Sequence, residues 1–518
     1  MATRFTRRRF LTAAGAGAAY LALANTVGCE PAERSSKAKP TRTSQLAQPE
    51  GAVAYGSRPA PQRGVWSFRS RPDLSPPAVE ITTQAHDTAP GYIFLSPEKG
   101  DVGQGGSLIV DNNGEVVWFR PLQGTLGRAH NLKVQSYRGK SVLTWMDGVN
   151  EYVIFDHSYR EMARFSAGNG RNGDHHEFLI SPQDTALITV YSPVPRDLSS
   201  IGGLKNDKLW QGMVQELDIE SKEVIFEWHS LDHVGLDESY ATVSQDGSRG
   251  FDYFHINSID VDHDNNLLVS ARETFAVYKI DRKSGEIIWR LGGKKSDFSM
   301  GPGSRFSFQH DARRLPDGTI SIFDNGDTVF HGLVPESVEE SRGIVLDVDE
   351  KKMNASLVRE YIHPDMQYAD ASGNVQLLPN SNVFIGWGRA LNFSEFSHDG
   401  KKLLFDGRLP EGNRSYRAFR YEWSGYPTDR PAFVVERTSE EEVRVYASWN
   451  GATEVESWEV LAGARPGKLE WVGSAPRDGF ETAMVAQTSD PYIAVRAKGR
   501  SGSVLGTTEP IKSTLRRD

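Results

Sequence analysis

The 518-residue chain carries 59 basic and 68 acidic side chains, has a formal net charge of −9 and contains one cysteine. Because both signs of charge are interspersed, the composition gives no basic footprint for nucleic acid, and we expect no nucleic-acid partner. A single cysteine excludes an internal disulfide, so a chain of this length must be stabilised by its core.

Residues 1–29 are predicted to be an export signal and are set apart from the fold. Residues 6–11 (TRRRFL) match a twin-arginine signal, and an apolar Ala/Gly-rich stretch of about 18 residues follows, just long enough to span a bilayer. Cys29 directly follows it, where bacterial lipoproteins carry the lipidated thiol, although Thr26 stands where Leu is preferred. An uncleaved anchor would also place the protein outside the cytoplasm. We expect an exported, cell-envelope protein that meets the membrane only through a lipid on Cys29.

Residues 30–63 are rich in Pro, Ser, Ala, Lys and Arg and have little apolar periodicity. This composition predicts a disordered tether between the lipid and a domain that begins at residue 64.

One hairpin-like unit recurs along residues 64–425: a short β-run, a polar or acidic turn, and a second β-run that often ends in Trp. The spacing between units is about 45 to 66 residues, close to the length of a propeller blade. The pattern predicts an all-β fold, a six-bladed β-propeller. The units are 108–111 with 114–118, 153–156 with 162–165, 216–218 with 224–228, 279–281 with 285–289, 345–347 with 356–358, and the looser 396–400 with 403–405.

A second repeated element lies between the hairpins and begins with histidine in four of five cases, at His130, His176, His255 and His310; Gly373 occupies the fifth place. A residue that occurs once per blade is repeated around the propeller axis. We therefore expect the histidines to face one central cavity, with a sixth blade around residues 415–419.

Residues 430–512 differ in sequence pattern from residues 64–425, with short alternating β-runs that follow a Pro-rich linker. The pattern predicts a small C-terminal β-sandwich of the immunoglobulin or fibronectin III type. No catalytic set is found in it, and we interpret it as a docking or packing module.

The predicted cavity combines histidines with Arg272, which follows His255 on the next β-run. Neutral imidazole is a competent nucleophile near pH 7, and an arginine beside imidazoles favours an oxyanion such as a sulfuryl, phosphoryl or carboxylate group. The same residue types bind metals, and Asp311 and Glu177 would be available as carboxylate ligands. Because Arg272 is a poor neighbour for a dication, we predict no metal site and no cofactor.

Several motifs resemble the central region of the bacterial arylsulfate sulfotransferases: residues 254–260 (FHINSID), 268–272 (LVSAR), 285–293 (GEIIWRLGG), 308–312 (FQHDA) and 323–327 (FDNGD). The resemblance covers roughly residues 90–425. It implies a six-bladed propeller and a ping-pong reaction that uses no nucleotide sulfate donor, in which a histidine takes the sulfuryl group from a phenolic sulfate ester and passes it to a second phenol.

The resemblance also implies roles for individual residues. His310 corresponds to the transiently sulfated histidine, His255 and Arg272 to the sulfuryl-binding pair, and His176 to a further active-site histidine, with His175 leaving the register open by one. Asn257 corresponds to an amide donor, and His130 and Asn325 are candidates for substrate binding. Asn325 also lies in a hairpin-turn signal, and His130 suits a structural hydrogen bond equally well.

Two other classes of function remain open from the sequence. One is a non-catalytic, surface-anchored propeller that binds an anionic glycan or a partner. The other is a metal-dependent hydrolase or lactonase that uses the His/Asp set. In the leading interpretation a general acid assists departure of the phenolate, and His255 or His176 would supply the proton.

Overall fold

A computed structural model describes residues 54–56, 60–98, 100, 102–122, 129–244, 246–247, 249–326, 338–365 and 367–514. The predicted signal, Cys29 and most of the predicted tether lie outside the described residues. Within them the protein is all-β, with one short helix, Ser230–His233, and three 3-10 turns, Ser199–Ile201, Leu236–Glu238 and Gly388–Ala390. None of the described helices is long and apolar enough to cross a membrane.

Six antiparallel sheets of at least four strands make up most of the structure, and each is described by its strands in hydrogen-bonded order. Sheet 1 contains Ser415–Tyr421, Tyr92–Pro97, Gly106–Val110 and Val116–Pro121. Sheet 2 contains Ala129–Tyr137, Lys140–Asp147, Tyr152–Phe155 and Glu161–Phe165. Sheet 3 contains Gly173–Ile180, Thr185–Arg196, Asp207–Asp218 and Val224–His229, and Phe251–Asp252 pairs in parallel with its third strand.

The next three sheets repeat the arrangement. Sheet 4 contains Ile256–Val261, Leu267–Ala271, Ala276–Ile280 and Ile287–Gly292. Sheet 5 contains His310–Arg314, Ile320–Asp324, Arg342–Asp349 and Asn354–Tyr361, followed by the parallel strand Ser299–Met300. Sheet 6 contains Asn374–Leu377, Val383–Gly386, Asn392–Phe396, Leu403–Arg408 and Glu80–Thr83. All six predicted hairpins are confirmed as paired antiparallel strands of these sheets.

The first strands of the six sheets contact one another in a closed cycle, from sheet 1 through sheet 6 and back to sheet 1. The cycle is completed within sheet 1, where the late strand Ser415–Tyr421 pairs with the early strand Tyr92–Pro97, and Phe419 lies opposite Phe94. A sixth blade was predicted around residues 415–419. These residues instead form the first strand of sheet 1, which holds the first hairpin, and not part of sheet 6, which holds the sixth.

The apolar core is divided into layers between successive sheets. Ile154 and Ile188 share the layer between sheets 2 and 3, and equivalent clusters lie between every other pair of neighbours, including sheets 6 and 1. Each sheet therefore buries both faces, which explains why strands such as Gly106–Val110 are buried along their whole length.

Two further antiparallel sheets follow. Sheet 7 contains Ala54–Tyr55, Glu481–Gln487, Glu442–Ser448 and Ala432–Arg437. Sheet 8 contains Lys468–Pro476, Ser457–Arg465, Tyr492–Lys498 and Val504–Thr507, with Ile511–Lys512 paired to its third strand. The two sheets share one apolar core. Part of the predicted tether is thus ordered, since Ala54–Tyr55 forms a strand of sheet 7.

The segment that carries sheets 7 and 8 is joined to sheet 1 by hydrogen bonds to backbone groups of its last strand. The Asn450 side chain accepts from the Phe119 N–H and donates to the Phe119 carbonyl, both at 2.9 Å. The Gly451 N–H donates to the Val117 carbonyl, also at 2.9 Å. This contact supports the interpretation of residues 430–512 as a packing module.

Candidate active site

The histidine-bearing strands share a local distortion. The first strands of sheets 2 to 5 each have a break in register close to a predicted histidine. Asn131, His255 and Asp311, which lie in or next to these breaks, adopt positive φ values of 64°, 55° and 56°. A β-bulge turns a side chain away from the regular alternation of the strand. The repeated distortion turns the imidazoles toward the middle of the cycle.

The imidazoles gather around the ring of Tyr416, which is 4% exposed and comes from the first strand of sheet 1. The distances from its ring centroid are 5.5 Å to His176, 5.6 Å to His175, 6.2 Å to His310 and 6.4 Å to His130. His255 joins this cluster through His176, at 5.1 Å between ring centroids. The four predicted histidines are therefore brought together, although none of them is among the residues that line the open cavity beside the cluster, which the repeat had predicted they would face.

His310 is held in one tautomer. Its Nδ1 lies 2.8 Å from the Asn325 Oδ1 and 3.0 Å from the Phe308 carbonyl oxygen, and both of these atoms only accept. Nδ1 therefore carries the proton, and Nε2, which accepts weakly from the Ser372 N–H at 3.3 Å, keeps its lone pair. Burial, aided by the positive charge of Arg272 and by the neighbouring histidines, holds the pKa of His310 well below its usual range. The ring is neutral at physiological pH.

The orientation of the Asn325 amide is fixed by its other end. Its Nδ2 donates to the carbonyl oxygens of Ala369, at 2.8 Å, and Ser372, at 3.0 Å. Only the oxygen is left to face His310. Asn325 was a candidate for substrate binding, and the structure places it behind His310 as a residue that positions the imidazole.

Two further imidazoles are each paired with a carboxylate through Nδ1. His255 lies 2.5 Å from Asp252. Burial lowers the pKa of His255, but attraction and hydrogen bonding to Asp252 outweigh burial, and its pKa lies above the usual value. His176 hydrogen-bonds to Asp174, yet burial dominates and lowers the pKa of His176 to about 4.

Arg272 lies beside the cluster on the neighbouring strand end. Its backbone N–H donates to the His255 carbonyl at 2.9 Å, and its guanidinium carbon lies 4.4 Å from the centre of the Phe308 ring. The guanidinium pairs with Glu273 and donates to the Asp370 carbonyl at 3.1 Å. Its side chain remains 21% exposed, so it can still meet an anion.

Asn257 and His130, the other candidates for substrate binding, are more enclosed. Asn257 is fully buried, and its Nδ2 donates to the Gln309 carbonyl at 2.7 Å. His130 is 2% exposed and lies 4.6 Å, ring to ring, from His175. Both lie next to the histidine cluster, and neither is among the residues that line the open cavity described next.

An open cavity of about 690 Å³ lies next to the cluster. Its wall carries both aromatic and charged side chains. They are Asp174, Tyr191, Trp210, Arg249, Phe251, Asp252, Arg272, Glu273 and Phe308. Apolar walls with a few convergent polar groups are typical of a small-molecule site.

A buried ionic network next to Tyr416 joins the first strands of sheets 1, 2, 3 and 5. Glu177 contacts Lys133 at 2.7 Å, Arg417 at 3.0 Å, and Arg313. Asp311 pairs with the same two arginines. Burial raises the pKa of Glu177, but the three cations outweigh it and hold that pKa well below its usual value.

This network changes the interpretation of two acidic residues. Glu177 and Asp311 were considered as metal ligands in the hydrolase alternative, but their oxygens are taken up by arginine and lysine. They are structural anions at the centre of the cycle.

Asp252 and Asp174 were missed from the sequence, and Tyr416 and Arg417 were included only as members of the blade predicted around residues 415–419, with no role for either residue. The two aspartates leave a weak signal, since each lies two or three residues before a histidine. Tyr416 and Arg417 leave none, because their strand reaches the centre only through pairing with Tyr92–Pro97.

The model of the arylsulfotransferase (ASST) family matches residues 133–406, which is more than half of the chain. The chain belongs to this family, as the motifs predicted, and the match includes the most diagnostic run, residues 254–327. Membership supports sulfuryl transfer as the class of reaction and an arylsulfotransferase as the class of enzyme, with aryl sulfates and phenols as implied substrates.

No curated protein matches the chain. Among solved structures it is similar to a Bacteroides caccae protein of unknown function, with 13% identity and a TM-score of 0.38 over 64% of this chain and 100% of that one. It is also similar to a Dos1 propeller, with 9% identity and a TM-score of 0.32 over 78% and 95%. A streptogramin B lyase is similar at 9% identity and a TM-score of 0.31 over 64% and 98%.

Proposed function

We propose that the protein transfers a sulfuryl group from a phenolic sulfate ester to a second phenol, without a nucleotide sulfate donor, through a transient sulfohistidine on His310. The observation that carries the proposal is the state of His310. It is a buried, neutral imidazole whose Nδ1 proton is fixed by Asn325 and whose Nε2 lone pair lies within a histidine cluster beside Arg272.

The scaffold in this proposal is a six-bladed β-propeller followed by a β-sandwich. Six antiparallel sheets whose first strands contact in a closed cycle support the propeller. Closure by pairing an early with a late strand leaves no open edge between the first and last blades. Sheets 7 and 8, which share one core, support the sandwich.

In the first half-reaction, the His310 Nε2 lone pair forms a bond to sulfur while the bond from sulfur to the aryl oxygen breaks. The departing oxygen takes a proton from the imidazole cluster. Sulfuryl transfer resembles phosphoryl transfer in its loose, in-line transition state, so the protein's work is to position groups and stabilise charge. Arg272 and His255 face the sulfuryl oxygens, and Asn325 accepts from Nδ1 as positive charge grows on the ring.

In the second half-reaction, the oxygen of an acceptor phenol attacks the same sulfur. The bond from Nε2 to sulfur breaks, its electron pair returns to His310, and the phenolic proton passes to the cluster. No oxidant, reductant or nucleotide is consumed, and the enzyme returns to its starting state.

The direct test is transfer of the sulfuryl group from 4-nitrophenyl sulfate to phenol by the purified protein, followed as nitrophenol release and phenyl sulfate formation. We expect both products in equal amounts without added nucleotide. If a broad panel of aryl sulfates is bound but never turned over, a non-catalytic propeller that binds anions replaces this proposal.

We predict that Asn325→Ala lowers kcat for transfer by about 10- to 100-fold with little change in KM, because the His310 tautomer is no longer fixed. Asn325→Asp serves as the comparison, since a carboxylate would draw a second proton onto His310 and lower activity further near neutral pH. Unchanged kcat in both variants would remove Asn325 from the positioning role.

We also propose that the protein is exported to the cell envelope, where it is either anchored to the outer face of a bacterial membrane by a lipid on Cys29 or periplasmic. The support is the sequence TRRRFL at residues 6–11 and the position of Cys29 after the apolar stretch. Cys29→Ser is expected to move the protein from the membrane fraction to the soluble fraction of fractionated cells. Retention of the variant in membranes would contradict lipidation.

A further inference from the structure

The first strand of sheet 3 carries a larger bulge than the equivalent strands. Between its paired positions Gly173 and Phe178 lie four residues, opposite one residue between Val190 and Ile188. In sheet 5 two residues between His310 and Arg313 lie opposite one. In sheet 5 one extra residue is therefore enough to turn His310 inward. Sheet 3 has three extra residues, two more than are needed to turn one histidine inward.

The larger bulge brings three consecutive polar side chains, Asp174, His175 and His176, to one side of the strand. One ligand atom from each residue lies within 4.8 Å of the others. Nδ1 of His175 is 3.2 Å from one Asp174 carboxylate oxygen, and Nδ1 of His176 contacts the other. The two imidazoles are stacked, with centroids 4.1 Å apart. Adjacent residues of a regular strand would point to opposite faces.

We propose that Asp174, His175 and His176 bind one divalent first-row metal ion of the zinc type. Two imidazole nitrogens and one carboxylate oxygen form a ligand set that zinc prefers, and three protein ligands leave a coordination position open. This proposal goes beyond the proposed sulfuryl transfer and does not depend on it. It replaces the expectation from the sequence that the histidine cluster holds no metal.

The surroundings of these three residues suit a metal ion that keeps one coordination position open. Asp174 lines the cavity of about 690 Å³, so the ion would be reached from there. The Tyr152 hydroxyl donates to the Asp174 backbone carbonyl at 2.7 Å, and this hydrogen bond stabilises the conformation of the bulge. Arg272, the cation that made a metal unfavourable from the sequence, is paired with Glu273, and Asp252 adds a further negative charge on the same wall.

The charge balance also favours the site. A dication together with Arg249 and Arg272 would be offset by Asp174, Asp252 and Glu273, which all line the cavity, leaving about one positive charge. An anionic ligand oxygen at the open position would neutralise it. A sulfate ester and an inorganic anion share this chemistry, and adding each of them separately to the metal-loaded protein distinguishes the two.

The test uses the full, purified protein after removal of metals with a chelator. Co²⁺ is added as the probe and followed by its visible absorption, and Zn²⁺ is then used to displace it. We expect one Co²⁺ per chain, displaced by Zn²⁺, and binding at least about tenfold weaker in His175→Gln and in Asp174→Asn, since even outer partners of a metal site cost about 10- to 100-fold. Phenyl sulfate, but not sodium sulfate, should perturb the spectrum if the open position takes the ester.

His229→Gln is the matched control, because His229 lies 2.8 Å from Glu227 without a third ligand among the described residues. It should bind Co²⁺ like the wild type. As a second measurement, Zn²⁺ should raise the Tm of the wild type and of His229→Gln, but not of His175→Gln. Absence of a Co²⁺ spectrum, or equal binding by His175→Gln and the wild type, overturns the site. Transfer activity is assayed separately, so loss of either result leaves the other standing.

Discussion

Replacing His310 by alanine is expected to lower sulfuryl transfer from 4-nitrophenyl sulfate by about 10⁴-fold or more, because removal of a covalent nucleophile leaves only binding and charge stabilisation. Binding of the ester should change little, since Arg272 and His255 remain. The measurement is kcat for nitrophenol release together with the affinity for the ester, obtained by calorimetry on the inactive variant.

The control for this variant is His363→Ala. His363 is also a buried, hydrogen-bonded imidazole, 3.3 Å from Asp406, but it contacts Trp387 and lies outside the cluster. It should retain activity within a few-fold of the wild type, and the Tm of both variants shows whether each is folded. Nitrophenol release by His310→Ala at the wild-type rate would exclude His310 as the nucleophile.

Glu177→Gln is expected to lower the free energy of unfolding by about 3–5 kcal/mol, the usual cost of removing one partner of a buried ion pair. The substitution keeps the shape of the side chain but leaves Lys133, Arg313 and Arg417 without one of their anions. Because these cations come from sheets 2, 5 and 1, the loss weakens contacts across the cycle. The measurement is the midpoint and slope of urea denaturation.

Glu161→Gln provides the comparison at the surface. Glu161 pairs with Arg164 at 2.7 Å, but its side chain is 37% exposed, and such pairs contribute about 0.2–1 kcal/mol. A change below about 1 kcal/mol is therefore expected. If Glu177→Gln and Glu161→Gln destabilise the protein equally, the central network does not hold the strands together.

Local features of the fold were predictable because they depend on short-range pattern. Each hairpin combines β-forming residues with a polar turn, as in residues 108–118, and the structure pairs Leu108 with Phe119 and Ile109 with Trp118. The histidines were predictable because they recur at one place in a repeat. His310 and His176 lie 134 positions apart in the sequence but touch the same tyrosine ring.

Features that depend on ring closure were not predictable. The strand Ser415–Tyr421 carries Tyr416 and Arg417 into the centre only because it pairs with Tyr92–Pro97, and nothing in its own residues indicates that partner. The role of Asn325 was missed for a similar reason. Its turn-like sequence predicts a hairpin, whereas its amide is oriented by carbonyl groups of residues 369 and 372 from a distant segment.

The most direct test of a covalent His310 intermediate is peptide mass spectrometry of enzyme quenched rapidly after mixing with 4-nitrophenyl sulfate in the absence of an acceptor. We predict a sulfuryl group on the peptide that contains His310, and its loss when phenol is added before quenching. A sulfuryl group on another side chain, or an unmodified enzyme that nevertheless transfers sulfate at its full rate, would contradict this mechanism.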